Sequence, residues 1–574
     1  MDYKIAYENW VQNPALCEDG IKELRSIADD EKEIEYRFGA ELAFGTAGMR
    51  GLMGYGTNMM NVYTVRRATK ALAEYVRSLG RKAMRRGVAI SYDTRNNSHK
   101  FALAAAGVLV KEGINVFMYS EPRPVPMLSY AVRKYKTAAG IMITASHNPK
   151  EYNGYKIYGE DGAQMSPEAT AVIVENIHKV SDYFSVKSAD ENALEHSRNL
   201  SYIPASFERG YYKTVIKLGL SKKAVKEEGK KIKIVYTPIN GSGYVPVTKV
   251  LAKMGIDVTV VEEQTAYDGN FPTVEVPNPE NKAALKMAID LADKLGADVV
   301  FGTDPDCDRL GVAVRNNEGE FVGLTGNQVG ALLLEYVLMR LKAENKMPEN
   351  AVAIKSFVST NLAKAICDAY GVQLMETPVG FKFIGEKIKE FEQSKDKTFV
   401  FGFEESCGYL RGTHARDKDA VVASMLFAEL ACYCAYKGKS VYSMLTDIYD
   451  RLGYVYDNTV SVAYSGLNAM AEMNAVVDKM RAANVSKINI YNVVATRDYL
   501  SGIKRFSDGR EEKLEYDGIN CLYYELENGG FVCLRPSGTE PKLKIYYSVC
   551  AKNEEACKKA YEALSADFSK LLSE

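Results

Sequence analysis

Four short loops carry the side chains best suited to chemistry. The first is Thr144-Ala-Ser-His-Asn-Pro149, which follows the apolar run Ala139 to Ile143. Ser146 and His147 therefore stand just beyond a strand, where α/β sheets place ligands. Serine beside histidine suits a nucleophile with a proton acceptor. The same residues also suit an ordinary turn in which Ser and Asn bond their own backbone. A hydrolase elbow would need Gly-x-Ser-x-Gly, and neither glycine is present.

The second loop is Gly302-Thr-Asp-Pro-Asp-Cys-Asp-Arg-Leu-Gly311, flanked by strand-like Val299 to Phe301 and Leu310 to Val314. Asp304, Asp306 and Asp308 alternate, so an extended loop can converge three carboxylates on one hard cation. Without a cation they repel one another, which leaves a solvated acidic turn as the other reading. An EF-hand is excluded, because Arg309 and Arg315 stand where its glycine and final glutamate belong. Mg²⁺ suits the set best, since it takes few carboxylates and completes its shell with phosphate oxygens. Arg309 adds a cation suited to phosphate.

The third loop, Gly402-Phe-Glu-Glu-Ser-Cys-Gly-Tyr409, follows the strand-like run Thr398 to Phe401. Glu404, Glu405 and Ser406 offer acceptors for sugar hydroxyls, and equally well a helix start. The fourth is Arg535-Pro-Ser-Gly-Thr-Glu-Pro541. Gly538 permits close backbone approach, Ser537 and Thr539 add hydroxyls, and Arg535 supplies a bidentate fork. Together they make a phosphate cradle in chemical terms; a plain β-turn is the other reading.

The elements that position these loops repeat along the chain. Val88 to Tyr92, a helix over Phe101 to Lys111, and Gly113-Ile-Asn-Val116 form one strand–helix–strand unit. Lys233 to Tyr236, a helix to Lys253, and Gly255-Ile-Asp-Val258 form a second. Val352 to Ser356, a helix around Asn361 to Ala369, and Gly371-Val-Gln-Leu374 form a third. Each is a βαβ crossover, which favours parallel sheets. The fold class is therefore α/β, with three related domains over residues 1–205, 206–322 and 323–452 and a different α+β domain over 453–574. The polar stretch Lys187 to Asn199 reads as a linker or surface insertion.

Composition narrows the partners. The chain has 574 residues with 73 basic and 74 acidic side chains, a balance that argues against nucleic acid and anionic membrane as partners. The N-terminal stretch lacks the apolar core of a secretory signal. The most apolar run, Ala420 to Tyr436, is too short for a span and carries Glu429, so it reads as a core helix. Ten cysteines with no C-x-x-C pair fit a reducing cytosol, so a cytoplasmic location is expected.

Taken in order, T-A-S-H-N-P, D-x-D-x-D-R, G-x-E-E-S and R-P-S-G-T resemble the α-D-phosphohexomutase superfamily over essentially the whole chain. The length, the Asp-Pro-Asp of the second loop and Asn148-Pro-Lys-Glu-Tyr-Asn-Gly-Tyr-Lys156 are similar to its long phosphoglucomutase/phosphopentomutase branch. The resemblance implies three topologically related α/β domains with mixed, mostly parallel sheets and a smaller fourth domain, heart-shaped around a central cleft. It implies a phosphoserine at Ser146 and Mg²⁺ held by Asp304, Asp306, Asp308 and a phosphoserine oxygen. It places Glu404 and Ser406 on sugar hydroxyls, and Arg535, Ser537, Gly538 and Thr539 on the non-reacting phosphate.

By the same resemblance, Arg50 in Phe44-Gly-Thr-Ala-Gly-Met-Arg-Gly51 and Arg309 flank the phosphoserine, and Lys156 and His147 are candidates for proton transfer. Gly380-Phe-Lys382 resembles the sugar-specificity loop, and Lys418 another phosphate contact. The implied activity is interconversion of glucose 1-phosphate and glucose 6-phosphate, with glucose 1,6-bisphosphate as intermediate and activator. Cys407-Gly408 stands where mannose-accepting members carry Gly-His, which argues against mannose and removes one candidate base. Phosphopentomutase activity on ribose or deoxyribose phosphates stays open within the branch. A non-catalytic sugar-phosphate binder is expected to have lost Ser146 or an aspartate, and all four loops are intact. Nothing in the sequence fixes the oligomeric state.

Overall fold

The computed structural model describes residues 2–45, 48–465, 468–537 and 542–573. They form two compact units, one of Met1–Gly326 with Phe381–Ser440, the other of Asn327–Gly380 with Val441–Glu574.

In the first unit, a seven-stranded sheet runs Phe44–Gly45, Gly48–Leu52, Tyr152–Gly159, Ala139–Ile143, Val88–Tyr92, Val116–Met118, Leu200–Tyr202. The last four are parallel neighbours. Every residue of Val88–Tyr92 and Ala139–Ile143 is buried, as continuous apolar strands covered on both faces require. A five-stranded sheet in the same unit runs Phe321–Leu324, Leu310–Arg315, Val299–Thr303, Ile234–Thr237, Val258–Val260, the last three parallel. The hairpin of Thr398–Glu404 and Gly408–Leu410 completes the first unit's strands.

The third βαβ copy lies in the second unit, where Ala351–Ser356 pairs in parallel with Gln373–Thr377 across the helix Leu362–Tyr370. In all three copies the glycine after the helix, Gly113, Gly255 or Gly371, has φ of 73°, 84° or 68°. This left-handed turn ends the helix and sends the chain back to the sheet.

After Leu452 the texture changes, as expected. The antiparallel sheet runs Tyr454–Ala463, Lys542–Ala551, Phe531–Pro536, Leu522–Leu526, Tyr491–Asp498, Ile503–Phe506, Glu511–Lys513. Helices Ala469–Ala482 and Glu554–Ser573 contribute Met473, Val477, Leu564 and Phe568 to the core beneath it.

The stretch from Lys187 to Asn199 departs from a free linker. Its short helix Glu191–Glu195 buries Leu194 in the core of the first sheet, and Ala189 N–H donates to Gly107 O at 3.1 Å. One leucine among polar residues suffices to dock the segment, and the chain continues directly into the edge strand Leu200–Tyr202. The helix Ala420–Tyr436 is a core helix, buried along nearly its whole length. Among the described residues no single helix is long and apolar enough to cross a membrane.

Candidate active site

Val88–Tyr92 and Ala139–Ile143 pair in register, Tyr92 with Ile143. Asp93 and Thr144 therefore leave the sheet side by side at its carboxyl edge. The buried Asp93 accepts from Thr144 Oγ1 and from Ser98 Oγ, both at 2.6 Å, and from Arg95 N–H at 3.0 Å. Thr144 Oγ1 in turn accepts the Ser146 N–H at 2.7 Å. From the other side, Arg95 Nη2 donates to the carbonyls of Ser146 (2.6 Å) and Asn148, and Nη1 to those of Pro149 (2.8 Å) and Tyr152 (3.2 Å). This cage holds Ser146 at φ 52°, a conformation uncommon outside glycine that persists only where its surroundings enforce it.

The aspartate loop follows Val299–Thr303, and all three carboxylates are buried. One oxygen from each lies within 4.8 Å of the others. Asp304 Oδ1 accepts the N–H groups of Asp308 and Arg309, both at 3.0 Å, and Cys307 between them turns at φ 50°. Burial, and then the charges of Asp306 and Asp308, push the Asp304 carboxyl well above its ordinary range. Burial acts the same way on Asp306, but Lys156 and Lys418 outweigh it and hold that carboxyl low. Asp306 Oδ1 and Asp308 Oδ1 are buried without a hydrogen-bond partner. Two orphaned carboxylate oxygens in a three-carboxylate cluster fit a divalent cation with oxygen ligands.

The serine and the aspartates meet. Ser146 Oγ donates to Asp304 Oδ2 at 3.1 Å and lies 3.3 Å from His147 Nδ1. Lys156, on Tyr152–Gly159, donates from Nζ to Asp306 Oδ2 at 3.0 Å, and Lys418 Nζ lies 3.0 Å from Asp308 Oδ2. Arg50 pairs in the sheet with Gly154 and donates to Asn148 Oδ1 at 2.8 Å. Arg309 pairs with Glu280, its Nε 4.0 Å from Asp308 Oδ1. Burial, reinforced by Arg309 and Arg50, drives the His147 pKa far down, so its ring is neutral. Lys418 stays charged because Asp308 and Asp417 outweigh its burial.

The third loop is pinned to the second. Leu310 N–H donates to Cys407 O at 3.0 Å, and Arg309 forms a β-bridge with Gly408. Glu404, at the end of its strand, is buried, and Ser406 is half-buried in the turn. Lys382 lies in the first turn of the helix Phe381–Ser394, its Nζ 4.8 Å over the Phe383 ring and its charge toward Glu168 and Glu386. Gly380, Arg535 and Ser537 belong to the second unit. Arg535 lies in the strand Phe531–Pro536, and Ser537 N–H donates to Lys542 O at 2.9 Å. Gly538 and Thr539 lie outside the described residues.

Two supports escaped the sequence reading. One is the Asp93–Arg95 pair, whose signal was its place: polar residues directly after a strand, as with Ser146. The other is Asp417, which accepts from Tyr158 Oη at 2.9 Å and Gln164 Nε2 at 3.2 Å beside Lys418.

Residues 41–184, 209–319 and 325–452 match the α/β/α domains I, II and III of phosphoglucomutase/phosphomannomutase. The phosphoglucomutase of Staphylococcus saprophyticus is 34% identical over 556 residues, covering 96% of this chain and 98% of that protein. The chain belongs to the phosphoglucomutase/phosphomannomutase family. The phosphoglucomutase of Staphylococcus aureus USA300 is likewise 34% identical, over 92% of this chain and 94% of its own.

Two solved structures share the family fold. A phosphoglucomutase/phosphomannomutase family protein from Burkholderia thailandensis has a TM-score of 0.67 at 18% identity, covering 93% of this chain and 97% of its own. The phosphoglucomutase parafusin from Paramecium, in its open form, has a TM-score of 0.65 at 16% identity, covering 93% and 94%. Membership of the phosphoglucomutase/phosphomannomutase family makes this chain a phosphosugar mutase.

Proposed function

We propose that the protein is a cytoplasmic, Mg²⁺-dependent phosphoglucomutase that interconverts glucose 1-phosphate and glucose 6-phosphate through a phosphoserine at Ser146 and glucose 1,6-bisphosphate. The observation that carries this reading is the 3.1 Å contact between Ser146 Oγ and Asp304 Oδ2, inside a cluster of three carboxylates and two lysines. Phosphoryl transfer needs positioning and charge neutralisation more than covalent help from the protein. Asp304, Asp306 and Asp308 would hold Mg²⁺, which when bound neutralises charge on the phosphoryl oxygens.

The chain's own residues supply the rest. The P–Oγ bond of phosphoserine breaks as a sugar hydroxyl oxygen bonds to phosphorus, and the hydroxyl proton must leave. That proton ends on the leaving Oγ, relayed by Lys156 and by His147, whose Nδ1 lies 3.3 Å from Oγ and is too weak a base to keep it. Arg50, Lys156, Arg309 and Lys418 keep the site locally positive. Glu404 and Ser406 read the sugar hydroxyls, with Gly380 and Lys382 in the specificity loop. Arg535, Ser537, Gly538 and Thr539 hold the other phosphate. The Glu-Glu-Ser wording and relatives named phosphoglucomutase favour glucose.

The test uses purified protein, Mg²⁺ and trace glucose 1,6-bisphosphate, with glucose, mannose and ribose 1-phosphates compared by kcat/KM. Glucose should win by at least tenfold, and Ser146→Ala should abolish turnover. A ribose preference, or an active Ser146→Ala enzyme, would overturn the reading.

A further inference from the structure

A second concave site lies in the first unit, apart from the serine–aspartate cluster. It is a cavity of about 420 Å³, within the range that holds small molecules. Its apolar floor is Ile216, Val225 and Met254, and its mouth carries Lys222, Lys226, Lys230 and Lys253. Lys222 and Lys226 are one turn apart on the helix Lys222–Glu228, and Lys253 lies in the last turn of Tyr244–Met254. The two helix ends meet at Gly229, where a Cβ would come within 2.6 Å of the Gly255 carbonyl oxygen. That close approach brings Lys230 and Lys253 to the same opening.

The charge here is unbalanced. Neighbouring lysines are occupied: Lys231 pairs with Glu228 at 3.0 Å, and Lys223 sits over the Tyr436 ring at 5.4 Å. Among the described residues, none of the four lysines at the mouth lies within ion-pair distance of a carboxylate. The one acid in the wall, Glu429, is buried and already accepts the N–H groups of Leu220 and Ser221 at 2.7–2.8 Å. A concavity lined by one sign of charge over low-dielectric walls concentrates counter-ions. Lysine stems can line the apolar wall while their heads meet the anion in water.

We propose that this cavity binds a small amphiphilic anion, its apolar part against Ile216, Val225 and Met254 and its phosphate, sulfate or carboxylate among the four lysines. Such a ligand occurs free in solution or as the head of a membrane lipid; a concavity of about 420 Å³ holds a small free molecule whole, and the vesicle arm below tests the lipid.

Calorimetric titration of the full chain with butyl, hexyl and octyl phosphate tests this. Affinity should rise about fourfold per added methylene, the effect of roughly 0.8 kcal/mol of burial. Lys226→Glu/Lys253→Glu should weaken octyl phosphate at least tenfold while glucose 1-phosphate turnover stays within twofold. Equal binding by the double variant, no binding of octyl phosphate, or inorganic phosphate binding as tightly would each overturn the proposal. So would octyltrimethylammonium binding equally well. Co-sedimentation with phosphatidylserine vesicles that exceeds octyl phosphate binding, and is lost in the double variant, would assign the surface to membrane lipid instead.

Discussion

Arg95 Nη2 donates to the carbonyl oxygen of Ser146 at 2.6 Å, and the same guanidinium reaches the carbonyls of Asn148, Pro149 and Tyr152. A fully buried cation thus spends its donors on the loop that carries Ser146, with Asp93 as its counter-ion at 3.3 Å. Lysine keeps the charge but cannot fork to four acceptors. Arg95→Lys should lower kcat at least 100-fold, the scale of a roughly 1 Å misplacement, with KM changed only a few-fold. Turnover near wild type would remove Arg95 from a positioning role. Arg95→Met should also destabilise the fold by about 3–5 kcal/mol, because it strands the Asp93 charge.

The aspartate cluster predicts a change of sign. Without metal, Asp304 is pressed by Asp306 and Asp308; with Mg²⁺ the same carboxylates attract it. Asp304→Asn keeps an acceptor for the Asp308 and Arg309 N–H groups while removing one charge. In chelator the variant should melt at or above wild type. In Mg²⁺ at about 100 times the wild-type Kd, the wild type gains about 2.7 kcal/mol, and the variant should lose most of that gain. Melting curves with and without Mg²⁺ decide it, and equal Mg²⁺ shifts in both proteins would deny the cluster a metal.

Much of this was legible in the chain itself. The three βαβ repeats with their terminal glycines predicted the sheets, and the alternation of Asp304, Asp306 and Asp308 predicted their convergence. Strand partners were not legible. That Asp93 meets Thr144 depends on Val88–Tyr92 lying beside Ala139–Ile143, a pairing between segments some fifty residues apart that no local pattern encodes. The same holds for Lys156 reaching Asp306 across 150 positions. Leu194 escaped because one apolar side chain in a polar stretch has no periodicity to read.

Gly408 packs directly against the stem of Lys418. A Cβ at Gly408 would lie 2.3 Å from Lys418 Cδ and 2.7 Å from its Cγ, mid-chain atoms that cannot yield without moving Nζ off Asp308. Gly408→Ala should therefore cost at least tenfold in kcat/KM with little change in melting temperature. The exchange Cys407→Gly/Gly408→His should fail to confer mannose 1-phosphate activity, because the histidine displaces Lys418 first. A gain of mannose turnover in the double variant would show that the lysine tolerates displacement.

In the second unit, Glu376 joins Lys355 at 2.8 Å to Arg497 at 2.7 Å, and Arg497 also pairs with Glu525. Burial alone would raise the Glu376 carboxyl, but Lys355 and Arg497 outweigh it and bring it down to about 2. The unfolded value is near 4.3. A carboxyl depressed on folding stabilises fully above its unfolded pKa, and that stability fades as pH falls toward the folded one. The second unit should therefore lose stability between about pH 4.3 and 2. Glu376→Gln leaves Lys355, whose side chain is fully buried, without its counter-charge. It should cost about 3–5 kcal/mol at pH 7 and far less near pH 2.5, where the wild-type carboxylate is itself being protonated. Calorimetric melts of both proteins from pH 7 to 2.5 read the difference directly. A gap that stays constant across that range would mean that Glu376 is not held ionised by its two cations.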